Sequence, residues 1–320
     1  MKLILSRKGL DASFGAMPSP ILPDGRLCWI PIPEDSTKKP SLPTYDDVSF
    51  SGGPLGDIVS ALSKGKLRGD QRAHVDPDLN PEHLPRVSGW RPVFGQAGAA
   101  ERHLLNSGVE SGDLFLFFGW FRQTEVRDGR LRFVRDTPDL HVIYGWLQVA
   151  ERLDLNLLRD PPQWMKRHPH VQGDRYGSLD SLYLSTKTLS GFGRAVPTRG
   201  AGIFREVRDR LVLSAPGHSR SIWRLPEDFY PARRQPLSFH TSQSRWSQGD
   251  GYTLLRTAGR GQEFVLDLDQ YPGVSRWVAE QFVGAGPATN ERRDEKATGF
   301  DDGRCHVGVT HDGSGGGPSR

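Results

Sequence analysis

Three polar segments carry residue types at spacings that suit chemistry. In "HVDPDL", His74, Asp76 and Asp78 alternate, so an extended backbone projects all three from one face. That is the start of an acid–base or divalent-metal site, and Pro77 disfavours the helical region at Asp76. Asp-Pro-Asp is equally a turn and capping pattern, with Asp78 capping a helix around "PEHL". The second segment, "SRKGLDASFGAMPSP" at 6–20, follows the apolar run "KLIL" and sets Arg7, Lys8 and Asp11 among small, turn-forming residues. Backbone amides of such a loop line anion sites; Arg7 and Lys8 would hold a phosphate, and Asp11 would act as a base or orient a hydroxyl. The competing reading is a loop closed by an Arg7–Asp11 salt bridge. In the third, "GRGQEFVLD", Gln262 and Glu263 enter a strand. There the carboxylate either accepts hydrogen bonds from a base or amine, or stands as an edge charge.

Weaker candidates surround these. Gln96 opens a helix of small residues, where an amide reads a base edge and the helix terminus faces a phosphate. His103 lies seven residues on, on the same helix face. Trp120, Tyr144 and Trp146, with Arg122 two residues beyond Trp120, form either a base-stacking pocket or a packed aromatic core. His168 and His170 in "KRHPHVQGDRYGS" have no carboxylate or cysteine partner evident nearby, so no metal ligand is assigned. No cofactor is named. A Walker-type phosphate loop and a Gly-x-Ser-x-Gly elbow are both absent, which excludes ordinary P-loop enzymes and argues against serine hydrolases.

Strands and turns must position these groups. "GDLFLFFGWFRQTEV", the turn "RDGR" and "LRFVRD" form a hairpin, and "HVIYGWLQVAERL" adds a third strand. In that strand Ile143, Leu147 and Val149 face the core, with Tyr144, Trp146 and Gln148 opposite. "LVLSAP", "SIWRLP", "YTLLRT" and "QEFVLDLD" read as further strands. Helices are expected at 56–66, at 96–108 with Gly108 as the stop, and at 273–283. The expected fold is α+β, with a mostly antiparallel sheet, barrel-like in the middle, and a few short flanking helices. Residues 1–283 form one intertwined unit, and 284–320 a disordered tail.

The 320 residues carry a formal charge of +4 and 36% hydrophobic side chains, with no apolar run long enough to span a membrane. The N-terminus lacks the apolar content of a signal peptide. Two cysteines, Cys28 and Cys305, argue against a disulfide framework and fit a cytoplasmic protein. The basic, arginine-rich balance permits nucleic-acid contact without requiring it.

Taken together, "SRKGLDASFGAMPSPILPDGRL", "AHVDPDL", "GDLFLFFGWFR", "HVIYGWLQV" and "GQEFVLD" resemble the nucleotide modification associated domain 3 (Nmad3) family, over nearly the whole chain up to about residue 283. The resemblance implies a place beside DNA-base modification systems of phages and bacteria, and carries no settled reaction. The central block is also similar to PUA-like and EVE-type barrels, which bind RNA or modified bases. Two functions follow as expectations. One is an enzyme or enzyme component acting on a nucleotide or nucleobase, with Asp11, His74, Asp76, Asp78 and Glu263 handling protons. The other is a non-catalytic reader of a modified or flipped base in the aromatic pocket. The partners are nucleotide or DNA and other proteins of a modification operon, with no membrane. "SRKGLD" is a ligand loop provided it meets "HVDPDL" in space.

Overall fold

The computed structural model describes residues 1–11, 16–172, 179–192 and 198–283. The expected tail, 284–320, and the middle of the opening loop, 12–15, lie outside the described residues. Strand β1 (Lys2–Arg7) buries Leu3, Ile4 and Leu5 completely, as a strand covered on both faces must. β2 (Ser19–Ile21) follows, then the two-residue strands β3 (Ile32–Pro33), β4 (Ser49–Phe50) and β5 (Gly53–Pro54). Helix α1 (Leu55–Leu62) separates these from β6 (Ala73–His74). It is shorter than its sequence pattern predicts because Lys64 and Gly65 both take positive φ, 55° and 77°, which no helix continues through.

β7 (Val93–Ala97) leads into α2 (Gly98–Asn106). Gln96 therefore belongs to a strand, paired with Ser181, and not to the helix it was expected to open. The hairpin of β8 (Leu114–Arg127) and β9 (Arg130–Phe133) turns through Asp128 and Gly129 at φ 54° and 69°, the conformation a tight two-residue turn requires. β10 (Leu140–Asp154), β11 (Asp180–Ser185) and β12 (Ala201–Ile203) continue the large sheet. A separate three-stranded sheet contains β13 (Ile222–Pro226), β14 (Trp246–Gln248) and β15 (Tyr252–Arg256). β16 (Glu263–Asp267) returns to the large sheet before α3 (Pro272–Gln281) packs Val274, Val278 and the following Phe282 inward. "LVLSAP" is not the strand expected: one 3-10 turn is followed by isolated bridges at Val212 and Ser214.

The fold mixes α and β, with one large sheet and three α-helices among the described residues. That sheet runs β16-β1-β8-β10-β11-β7, with β2, β9 and β12 attached. Its β1–β8 and β2–β8 ladders are parallel and the others antiparallel. β16 and β7 sit at opposite ends of that order, yet the Gln96 and Glu263 side chains are hydrogen-bonded. The sheet therefore curls until its ends face each other. No backbone ladder closes it among the described residues, so the barrel expected of the central block is not completed by pairing. Phe94, Phe115, Phe117 and Tyr183 pack edge and face between the strands. Phe118, Phe264, His141 and Trp223 pack together where the small sheet meets the large one.

Candidate functional site

The open seam collects the polar side chains. β7 pairs with β11 along one edge. Along the other, Asp78 bridges Val93, and the Gly95 N–H donates to Asp76 Oδ1 at 2.8 Å. An edge N–H left bare would be costly, and here a carboxylate meets it. Pairing of β6 with β3 carries Glu34 to His74, whose Nδ1 lies 2.8 Å from Glu34 Oε2. His170 Nδ1 lies 2.5 Å from Asp180 Oδ1, at the start of β11.

Asp76 stands between the imidazoles. Its Oδ1 is 3.3 Å from His168 Nε2, and its Oδ2 is 3.6 Å from His170 Nε2 and 4.0 Å from His74 Nε2. The His168 contact is an approach of charge without hydrogen-bond geometry, so that Nε2 is buried and unmet. His168 Nδ1 accepts from the His170 N–H at 3.3 Å, which puts the ring proton on Nε2, toward Asp76. Burial alone would raise the Asp76 carboxyl, but His168, His170 and His74 outweigh it and hold it well below the usual carboxylate range. Burial lowers His170 against the opposing pull of Asp180 and Asp76. Buried Lys39 donates to the Pro169 carbonyl, and desolvation brings its ammonium down to about 8 despite Glu34, Asp180 and Asp76. Gly95 has no substitute here: a Cβ would sit 2.4 Å from the His170 ring and 2.9 Å from His168.

A second cluster occupies the seam beside β16. Glu263 Oε1 accepts from Lys8 Nζ at 2.9 Å and from Gln96 Nε2 at 2.6 Å, while the Lys8 ammonium lies 4.5 Å from the centre of the Phe94 ring. Glu263 Oε2, Ser6 Oγ, Tyr144 OH and Trp29 Nε1 are buried without a protein partner. Their residues are linked by pairing and ring packing. Ser6 pairs with Glu263 across the β1–β16 ladder, Trp29 stacks on Tyr144 at 5.2 Å, and Phe117, opposite Ser6 on β8, packs beside Tyr144. Burial, then the charges of Asp76 and Glu263, push the Tyr144 phenol well above its usual value, so this hydroxyl feels both clusters.

A family model described as nucleotide modification associated domain 3 matches residues 2–267. The chain belongs to that family. No curated protein and no solved structure matches it. The span matched by the domain model runs from β1 to the end of β16 and so contains both seam clusters.

The structure brings together Lys8, Gln96 and Glu263 at one place, and His74 with Asp76 at another. Asp78 goes elsewhere: Arg86 grips it at 2.7 Å through both Nη atoms, and Trp90 Nε1 donates to it at 3.0 Å. Asn80, not Asp78, caps the turn before "EHL", accepting from Glu82 N. Arg7 and Lys8 diverge, as successive strand residues do. The Arg7 guanidinium binds the Gly259 and Gly261 carbonyls, and burial lowers it against the pull of Asp11. Gln262 meets Arg7 through its backbone carbonyl. His103 bonds Ser238 Oγ at 3.0 Å, and burial lowers it. Arg122 pairs with Asp139 at 2.7 Å.

The three aromatics share no face. Trp120 carries the Arg220 guanidinium at 4.3 Å, and Trp146 packs on Phe204 and Phe282 while donating to the Arg199 carbonyl. A bulge between Ile143 and Gly145 breaks the alternation that grouped Tyr144 with Trp146. Sequence reasoning left His168 and His170 unassigned, and it missed Glu34, Asp180, Ser6 and Trp29. The signal was "HPH": Asp180, the partner of His170, lies only ten residues on, while Asp76 comes from a segment distant in sequence.

Proposed function

We propose that this protein is an enzyme, or the catalytic part of one, acting on a nucleotide or nucleobase in a DNA-modification pathway. Asp76, buried among three imidazoles, carries the reading. A buried carboxylate ringed by histidines is an arrangement for moving protons. Packing alone gives no reason for one.

The remaining roles divide between the clusters. Glu263 Oε2 accepts from an exocyclic amine or ring N–H, and Tyr144 OH and Trp29 Nε1 answer the acceptors of the same base; each is buried and lacks a protein partner. Lys8 and Gln96 fix the carboxylate for that task. The first cluster also opens outward. A shallow cleft is lined by Trp90, Trp164, Arg167 and His168; Arg86 covers the Trp90 ring, and the Trp164 indole offers a face on which a base stacks. Family membership favours a nucleotide or DNA substrate, with other proteins of the pathway as partners. No helix among the described residues is long and apolar enough to cross a membrane.

The test is mass-spectrometric nucleoside analysis of DNA and nucleotide pools from cells carrying the native modification operon. Wild type is compared with folded Asp76→Asn and Glu263→Gln variants. Loss of a proton-transfer group costs about 10²–10⁴ in rate, so a modified nucleoside should vanish or its precursor accumulate. Unchanged profiles in both variants would overturn the enzyme reading.

A further inference from the structure

The geometry points to a divalent transition-metal site made by His74 Nε2, Asp76 Oδ2 and His170 Nε2. These atoms lie within 4.8 Å of one another, and they come from a β6 end, the segment after it and a loop nearly a hundred residues later. The inference concerns the cluster on which the proposed function rests, but it is read out without any substrate.

The argument begins at the far side of each ring. His74 Nδ1 faces the Glu34 carboxylate and His170 Nδ1 faces the Asp180 carboxylate. A carboxylate accepts, so each Nδ1 carries a hydrogen, and in the neutral ring that a metal takes, the lone pair is on Nε2. The two Nε2 atoms lie 4.0 and 3.6 Å from Asp76 Oδ2. Carboxylate–histidine pairs of this kind orient metal-binding imidazoles and raise their basicity. Two such pairs beside one carboxylate oxygen put two imidazoles and a carboxylate, the donor types that first-row divalent ions take, within reach of one point.

Asp76 is built for the same end. Its Oδ1 is occupied by the Gly95 N–H and approached by His168 Nε2, which turns Oδ2 toward the two rings. Bonds of about 2.1 Å to a tetrahedral ion separate its ligands by about 3.4 Å, so these atoms, all within 4.8 Å of one another, must draw in by up to about 1.4 Å to close on an ion. His168 Nε2, buried and unmet, supplies the independent observation: a donor beside the carboxylate can bind a water or substrate oxygen on the ion. Two imidazoles and one carboxylate favour zinc, iron or related ions over magnesium or calcium, and three protein ligands leave positions open for chemistry.

The experiment uses the full chain, stripped by chelator and exchanged into metal-free buffer. Zn²⁺ alone is titrated calorimetrically, and bound metal is counted by mass spectrometry. One ion per chain is expected. Asp76→Asn and His170→Gln should each weaken binding at least about 100-fold, and Glu34→Gln or Asp180→Asn by about 10–100-fold. His218→Ala, at an exposed histidine, should leave it unchanged.

Co²⁺ substitution of the wild type needs no variant to fold. It should give two solvent-exchangeable, paramagnetically shifted proton resonances, one for each Nδ1–H. Absence of stoichiometric uptake overturns the site. So does binding that survives in folded Asp76→Asn, or a Co²⁺ spectrum without the paired resonances. A chain that binds zinc yet leaves nucleosides unchanged keeps the site and loses the proposed function; the reverse result separates them the other way.

Discussion

Two regions of this molecule bury histidines, and they bury them differently. Between the large and small sheets, His240 donates from Nδ1 to the Ser238 carbonyl and accepts at Nε2 from the Ala258 N–H, while His141 Nδ1 accepts from Trp223 Nε1 at 2.9 Å. Their partners are neutral and the rings stack edge-on against Phe264 and Trp223. At the seam, His74 and His170 have carboxylates on both sides, and His168 Nε2 meets only the off-angle approach of Asp76. Burial is common to both regions. What separates the two sets is the charge of their partners.

The largest test of that contrast is acid titration of stability. Burial lowers His141 to about 3, with Arg220 and Arg7 adding to the shift, and burial lowers His240 to about 4. Each folded value lies below the unfolded value near 6.5, so the unfolded chain takes the proton first. Their stabilising contribution is complete above about pH 6.5 and is lost as pH falls toward the folded values. The loss is about 1.4 kcal/mol per pH unit for each ring. Urea unfolding at pH 7, 6 and 5 should show it, and His240→Phe should flatten the slope. A wild-type slope that is already flat would mean that burial does not hold these rings neutral.

How far was this contrast legible in the sequence? Most of the expected strands, the Asp128–Gly129 turn and the closing helix were, because alternation, glycine and helical spacing are local, whereas "LVLSAP" is not a strand and Gln96 lies in one instead of opening a helix. The hydrophobic run of β8 announced a strand buried on both faces. The seam was not. Glu34 meets His74 because β3 pairs with β6, and Asp76 sits against the β7 edge at Gly95, where His168 and His170 reach it. These long-range pairings leave no short-range mark, and only the His170–Asp180 contact is local. Tyr144 was misplaced for a different reason: one bulge residue inverts a face assignment that strict alternation makes. Within "HVDPDL", His74 and Asp76 lie side by side, while Asp78 is held by Arg86 and Trp90.

A smaller effect sharpens the comparison at Gly95. Adding one methyl there places a carbon within 2.4 Å of the His170 ring, whose Nδ1 is tied to Asp180. Overpacking of this kind costs about 1–3 kcal/mol. Gly95→Ala should lower the urea midpoint accordingly and displace His170 and His168, with Zn²⁺ uptake falling alongside. Unaltered unfolding and uptake would show that the rings are free to move and that the seam is not built around them.

The smallest effect expected is at Trp120, the residue that most invites a base-stacking role from sequence. Its ring carries Arg220 at 4.3 Å, a contact worth about 0.5–1 kcal/mol at a partly exposed site. Its Nε1 is buried without a partner, so replacing indole by phenyl also removes an unmet donor, which offsets part of that loss. Trp120→Phe should therefore change stability by less than about 1 kcal/mol and leave the nucleoside profile intact. A profile that collapsed in this variant would move recognition away from Glu263 and Tyr144, and would put the working surface on the side of the sheet where the packed histidines lie.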